Sequence, residues 1–286
     1  MITIRNERLS VSIEERGAEP CSIHYDGVEY LWQADAAYWP RHAPVLFPVV
    51  GALHDDYYIF NQKVYRMGRH GFARDKMFSA VRSSDTTAVL RLSSDEETMA
   101  VYPFRFDFEV IYDVQDAILT CRYRIRNPGS APLFFSVGGH PAFNVPLRPG
   151  LRYEDYFLEF EDDQVLHRHR LQDGLVSSAT EAIPLAGKRL PLKKELFYQD
   201  AIVLKDLRSH EISLRSDQDA RGLRFRFSGF PYFGIWAAKG APFVCLEPWC
   251  GVADGVDHDH HFETKEGIQI LAPGDAWEIQ WSVVLF

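Results

Sequence analysis

Glu247 follows Phe243-Val244-Cys245-Leu246, a run that reads as a buried strand, and precedes Pro248 and Trp249. An ionised carboxylate at the end of such a strand loses hydration, and partners or a ligand must offset that loss. Pro248 biases Glu247 toward an extended backbone, so the carboxylate is held on the strand. A carboxylate held and partly dehydrated in this way is suited to accept a proton. Two histidines occupy backbone settings that favour access. His140 lies in Gly138-Gly139-His140-Pro141-Ala142-Phe143-Asn144, and His70 lies in Gly68-Arg69-His70-Gly71-Phe72-Ala73-Arg74. Glycine leaves room for something bulky to approach the main chain, and Pro141 favours an extended His140 as Pro248 does for Glu247.

An imidazole and a carboxylate can move protons near neutral pH, each well-placed transfer contributing about 10²–10⁴-fold. That suits a reaction of modest intrinsic barrier, such as ring opening of a cyclic sugar hemiacetal. A base takes the proton of the anomeric hydroxyl, an acid protonates the ring oxygen, and rotation followed by closure gives the other anomer. No metal, redox centre or covalent nucleophile is required. Glycoside hydrolysis is the nearest contrast and usually needs two carboxylates flanking the bond. The 40 acidic residues leave such a pair open, although no second carboxylate stands at a strand end beside glycines.

Trp236, Trp249, Phe47 and Phe143 read either as core or as an apolar platform for a sugar face. Asp257-His258-Asp259-His260-His261 invites a metal reading, since imidazole and carboxylate are ligands, but it lacks the framing and spacing of a known site. His167-Arg168-His169-Arg170 reads as a solvated strand edge.

Short apolar runs bounded by turn residues must position these groups. Leu9–Ile13 alternates with period two. Asp26-Gly27 between two strand-like pieces is a hairpin signal, and Asn61-Gln62 marks a second. Further strands are expected at 88–92, 106–114, 117–125, 133–137, 201–204, 212–214, 223–227, 233–236 and 277–285. The only helical pattern is one or two turns near Asp95, ending before Pro103. The polar interval 161–194 reads as long loops or edge hairpins. Many strands with almost no helices favour an all-β, antiparallel sandwich, expected to be one domain over 1–286.

With 46% hydrophobic residues the 286-residue chain can bury a large core. A net charge of -9 argues against a sequence-independent hold on nucleic acid or anionic lipid and suits neutral solutes. Local arginines could still collect an anion. The four cysteines, Cys21, Cys121, Cys245 and Cys250, show no zinc spacing and read as small buried residues in a reducing compartment. No leader-like segment or bilayer-length apolar run is visible, so a soluble cytoplasmic protein is expected.

At these motifs the chain resembles the aldose 1-epimerase (galactose mutarotase) superfamily, and within it the LacX-like branch. The matching segments are 43–51, His70-Gly71-Phe72-Ala73-Arg74-Asp75, 138–144, 200–204, Cys245-Leu246-Glu247-Pro248-Trp249, Lys265-Glu266-Gly267 and Leu271-Ala272-Pro273-Gly274, in order over nearly the whole length. The resemblance implies a large antiparallel β-supersandwich with an open sugar cleft, no cofactor and no metal in catalysis. It makes Glu247 the general base and His140 the general acid. His70, Arg74 and Asp200 become substrate-binding residues, Asp200 by the loosest match. The partner would be a small-molecule sugar, with no nucleic acid or membrane involved, and the chain a monomer or homodimer. One position departs: the family commonly has Arg after Gly51, where this chain has Ala52, and Arg41 or Arg74 could compensate. A hexose phosphate as substrate, or a cleft that binds sugar without turnover, remain the alternatives.

Overall fold

The computed structural model describes residues 1–286. Two large antiparallel sheets carry the chain. One runs, in spatial order, Arg189–Pro191, Tyr156–Phe160, Glu211–Ser216, Asp219–Arg226, Ala276–Leu285, Ile118–Arg126, Asp107–Gln115, Thr87–Ser93 and Ser79–Ser83. The other runs Leu175–Pro184, Val165–Gln172, Ile202–Leu204, Tyr232–Trp236, Phe243–Cys250, Val137–Gly139 and Val45–Leu46, with Ala142–Asn144 also paired to Phe243–Cys250. A four-stranded sheet over the first 29 residues and two small ribbons complete the all-β architecture.

The inner faces of the large sheets share one continuous core. Aromatic rings cross between them: Phe225 of one sheet lies 6.1 Å from Phe233 and 6.0 Å from Phe143 of the other, centroid to centroid. Ile118–Arg126 shows the expected alternation, burying Leu119, Cys121, Tyr123 and Ile125 while its intervening residues are partly exposed. Phe243–Cys250 is buried at every position. One of its faces lies on this core and the other floors a cavity, which is why its sequence is nearly continuously apolar.

Turn chemistry works as read. Asp26 and Gly27 (φ 46° and 82°) close one hairpin, and Asn61 and Gln62 (φ 48° and 63°) the other. Both need two consecutive residues at positive φ, the requirement of the tight hairpin turn. The helix spans Glu96–Val101. Asp95 caps it by accepting from the Thr98 backbone N–H, while the Thr98 hydroxyl accepts from the Asp95 N–H. No helix is long and apolar enough to cross a membrane.

One expectation changes. The strand expected at 133–137 breaks at Ser136, whose N–H donates to Pro48 O, so Leu133–Phe135 pairs with Gln269–Leu271 and Val137–Gly139 joins the second large sheet. Of the two readings of the polar interval 161–194 the edge hairpin is the one observed: Val165–Gln172 and Leu175–Pro184 pair at that sheet's edge, turned at Asp173-Gly174. All four cysteines are free, and Cys121, Cys245 and Cys250 are buried while Cys21 is half-buried.

Candidate active site

A cavity of about 470 Å³ opens on the outer face of Phe243–Cys250. Glu247, His140, His70, Arg74 and Asp200 all line it, together with Trp236 and Trp249. Chain segments far apart in sequence are thus brought to one place, and the strand register explains the central pair. Val137–Gly139 and Ala142–Asn144 both pair with Phe243–Cys250, with Gly138 opposite Trp249 and Ala142 opposite Cys245. Continued across the break between them, the same register sets His140 opposite Glu247. At the break the His140 N–H donates instead to Pro44 O. Pro248 lies in the same stretch, where the interrupted ladder asks no N–H of it.

His140 Nε2 lies 3.2 Å from Glu247 Oε2. The two groups therefore stand side by side on one wall, and do not face each other across the hollow. That arrangement suits a hemiacetal, whose hydroxyl and ring oxygens are both bonded to the same anomeric carbon. The imidazole is fixed by rings: Trp39 stacks on it at 4.9 Å, and Trp236 and His70 meet it edge-on at 5.6 and 5.7 Å.

Burial controls the charges here. Desolvation pushes the Glu247 carboxyl well above its usual range, and Asp200 adds to this. The Trp249 indole N–H, which has no hydrogen-bond partner of ordinary geometry, pulls the other way. Desolvation lowers His140 to about 3, and the nearby Arg74 and Arg41 contribute in the same sense. Neither group easily carries charge alone, so at neutral pH the pair holds one proton between them. A pair with one proton can take a proton at one oxygen and give one at the other without changing its net charge.

His70 has a different character. Its φ is 69°, its N–H donates to Gly51 O at 2.9 Å, and its Nδ1 accepts from the Gly51 N–H at 3.1 Å. With Nδ1 an acceptor, the hydrogen of the neutral ring sits on Nε2. Burial, His140 and the neighbouring arginines all hold its pKa well below the usual value, so His70 is a fixed neutral donor.

Asp200 sits at φ 76° just before Ile202–Leu204. Its carboxylate accepts from the Ala201 N–H at 2.8 Å. Its backbone is clamped by Arg168, whose guanidinium donates to Asp200 O at 2.8 Å and Gln199 O at 2.9 Å. Arg168 is buried, so reading 167–170 as a wholly solvated edge is wrong at that residue. Strand alternation turns Arg168 inward, whereas His167 is exposed and lies 2.6 Å from Asp206.

Other readings also need correction. Phe47 and Phe143 are core residues fully excluded from solvent and do not line the cavity; Trp39 does, and no sequence periodicity marks it. The glycines beside His140 admit the protein's own rings. A Cβ at Gly138 would stand 2.7 Å from Trp249 Cδ1, and one at Gly139 would stand 2.8 Å from the Tyr123 hydroxyl. Arg41 does not replace the arginine absent at Ala52, because its guanidinium donates to Asp75 at 2.8 Å. The extra cation at the cavity is Arg69, exposed and with no ion-pair partner. In 257–261 two of the three histidines are engaged with the protein: His260 stacks on Tyr57 at 4.0 Å and on His54 at 4.7 Å, and His258 Nδ1 lies 3.5 Å from Asp254.

Lys265, inside one of the motifs, supports the cavity floor from beneath. Its ammonium is fully buried and donates to Val252 O and Asp254 Oδ1, both at 2.7 Å. Three buried polar atoms of the lining, Arg74 Nε, His140 Nδ1 and Trp249 Nε1, have no hydrogen-bond partner in the protein. Unsatisfied donors and acceptors around an aromatic-walled cavity fit a ligand rich in hydroxyls.

A sequence model of the aldose 1-epimerase family matches residues 1–283. The plasmid-encoded protein LacX of Lactococcus lactis subsp. lactis is 32% identical, with 99% of each chain covered. A galactose mutarotase related enzyme from Lactobacillus acidophilus superposes with a TM-score of 0.95 at 34% identity, over 100% of this chain and 97% of that one. A galactose mutarotase-like protein from Lactobacillus casei gives a TM-score of 0.94 at 34% identity, over 100% of both chains. A mutarotase-like fold, a histidine-carboxylate pair set by register and a family match over nearly every residue lead to one assignment: this chain belongs to the aldose 1-epimerase family.

Proposed function

We propose that this protein interconverts the α and β anomers of an aldohexose by cofactor-independent acid–base ring opening. Glu247 takes the proton of the anomeric hydroxyl as the C1–O5 bond breaks, and His140 delivers a proton to O5. Rotation about C1–C2 turns the aldehyde, and closure on its other face returns both protons in reverse. His70 donates from Nε2 to a sugar oxygen, Asp200 accepts from hydroxyls, Arg74 donates, and Trp39, Trp236 and Trp249 cover apolar ring faces. The observation that carries this reading is the 3.2 Å contact of His140 Nε2 with Glu247 Oε2 at the wall of a sugar-sized cavity. The experiment is relaxation of a freshly dissolved pure anomer, followed by polarimetry or by NMR exchange. The wild type should accelerate it over buffer and Glu247→Gln should lose about 10²–10⁴-fold of that acceleration. Equal relaxation by both proteins across a panel of aldoses would sink the assignment, and sugar-induced thermal stabilisation without anomer exchange would instead indicate a binding protein.

A second reading is favoured by Arg69 and Arg74, two guanidiniums lining the cavity, the first without an ion-pair partner. Guanidinium forks suit phosphate, so a hexose phosphate would use them where a free sugar would not. The same anomer-exchange panel run on phosphorylated aldoses separates the two. Arg69→Ala combined with Arg74→Ala should raise KM for the phosphate ester far more than for the free sugar.

A further inference from the structure

We propose that His140, Cys245 and Glu247 together form a binding site for a thiophilic divalent cation of the zinc class, and that the cation occupies it in competition with the sugar. Cys245 and Glu247 are two apart on one strand and so project to the same face. His140 reaches that face from the neighbouring strand edge. One donor atom from each residue lies within 4.8 Å of the other two, and all three residues are buried. Cys245 has no place in the proton-transfer scheme, which leaves its thiol an unassigned group beside the reactive pair.

The donor set and the charges point to the same occupant. Thiolate, imidazole and carboxylate are zinc ligands, and three protein ligands with a fourth position open to solvent make an exchangeable zinc site. Burial disfavours the charged forms of both the Cys245 thiol and the Glu247 carboxyl. A dication removes that obstacle, because a metal bound by one thiolate, one carboxylate and one neutral imidazole is uncharged as a whole. The balance is simple: the thiol gives up one proton, the His140–Glu247 pair gives up its single proton, and the metal takes their place. His140 and Glu247 both line the cavity, so an ion held by them would stand where a sugar would have to lie. His140 Nδ1 has no hydrogen-bond partner, and a missing outer partner typically costs about 10–100-fold in metal affinity. Occupancy is therefore reversible and inhibitory, and the fold does not depend on it.

The test uses the full-length protein without sugar, titrated with Cd²⁺ and separately with Zn²⁺ in weak buffer. Cadmium should give a thiolate-to-metal charge-transfer absorption that saturates at one equivalent, with two protons released per ion. Cys245→Ser should abolish the absorption and weaken zinc binding beyond the roughly 10–100-fold expected for an outer-shell loss. His140→Ala keeps the thiol and should retain the absorption at lower affinity, which guards against reading misfolding as lost ligation. Adding a free aldose should lower the apparent zinc affinity. The proposal is overturned if the absorption survives in Cys245→Ser, or if zinc binding is unchanged there and disappears in His258→Ala. These readouts need no turnover, so they stand apart from success or failure of the anomer-exchange assay.

Discussion

His140 and Glu247 are cross-strand neighbours in an interrupted ladder, with Nε2 3.2 Å from Oε2. At the interruption the His140 N–H bonds to Pro44 O on the other flanking segment and the ring turns into the cavity, while the register still holds it opposite the carboxylate. Two titratable groups mounted on one sheet cannot drift apart as two loop residues could, and the proposed reaction at a single anomeric carbon needs that proximity.

Because the two groups share one proton, their removal should not be additive. Glu247→Gln and His140→Gln are each expected to cost about 10²–10⁴-fold in kcat. The double variant should cost little more than the worse single one, since either change already disables the pair. Single-turnover or NMR exchange rates for the four proteins check this. Multiplying losses would show that the groups act independently.

The acid–base window should be wide. With ordinary values near 4.3 and 6.5, a carboxylate base and an imidazolium acid would coexist only in a narrow acidic range. Here burial raises Glu247 and lowers His140 to about 3. A second proton therefore joins the pair only in strong acid, and the last one leaves only above Glu247's raised value. The enzyme-dependent kcat/KM should stay flat from about pH 5 through neutrality and fall only once the pH passes Glu247's raised value. A fall centred near about 6.5, the ordinary imidazole value, would contradict the shared-proton state.

Arg168 should act as a positioning residue through Asp200. Its two hydrogen bonds to Gln199 O and Asp200 O hold a non-glycine residue at φ 76°. Arg168→Ala would leave those carbonyls short of a donor, at about 1–3 kcal/mol of stability. Arg168→Lys can restore one contact, and should recover much of the stability while leaving KM raised and kcat nearly unchanged. Equal falls in kcat and kcat/KM with an unaltered KM would show that Arg168 does not work by placing a binding group.

Gly138 should tolerate no side chain. The Cβ of Gly138→Ala would approach Trp249 Cδ1 to 2.7 Å and Pro248 O to 3.0 Å. Moving the indole would disturb the cavity wall beside Glu247, and overpacking of this kind typically costs about 1–3 kcal/mol. A lowered denaturation midpoint together with slower anomer exchange is expected. Gly187→Ala is the control: its Cβ meets nothing within 4 Å, although φ 62° makes it strained, so stability should fall while exchange does not.

Much of the site was legible because its physics is local. Pro248 after Glu247, glycines and proline around His140, and glycines around His70 are departures from good strand chemistry and so mark the place, although the glycines beside His140 serve to admit the protein's own rings. The hairpins at Asp26-Gly27 and Asn61-Gln62 were equally readable, since positive φ at two successive residues has few sequence solutions. Contacts that depend on long-range pairing were not readable. Trp39 has no periodic pattern around it, and Arg168 sits in a run of polar residues whose solvated appearance hides one inward-facing guanidinium. Arg41 does not supply the missing cation because Asp75 captures it, and Arg69, with no role assigned to it from the sequence, stands at the cavity instead.

The amino-acid sequence alone determined the secondary structure class and the turns, and it singled out Glu247 and His140 as the candidate proton-moving groups, all consequences of side-chain type and nearest-neighbour backbone preference. The tertiary structure decided that His140 touches Glu247 on one wall, that the glycines beside it admit Trp249 and Tyr123, and that Cys245 joins the pair. Those facts follow from which strands lie side by side and in what register. Pairing energy is summed over whole sheets and a shared core, so no short window of sequence contains it.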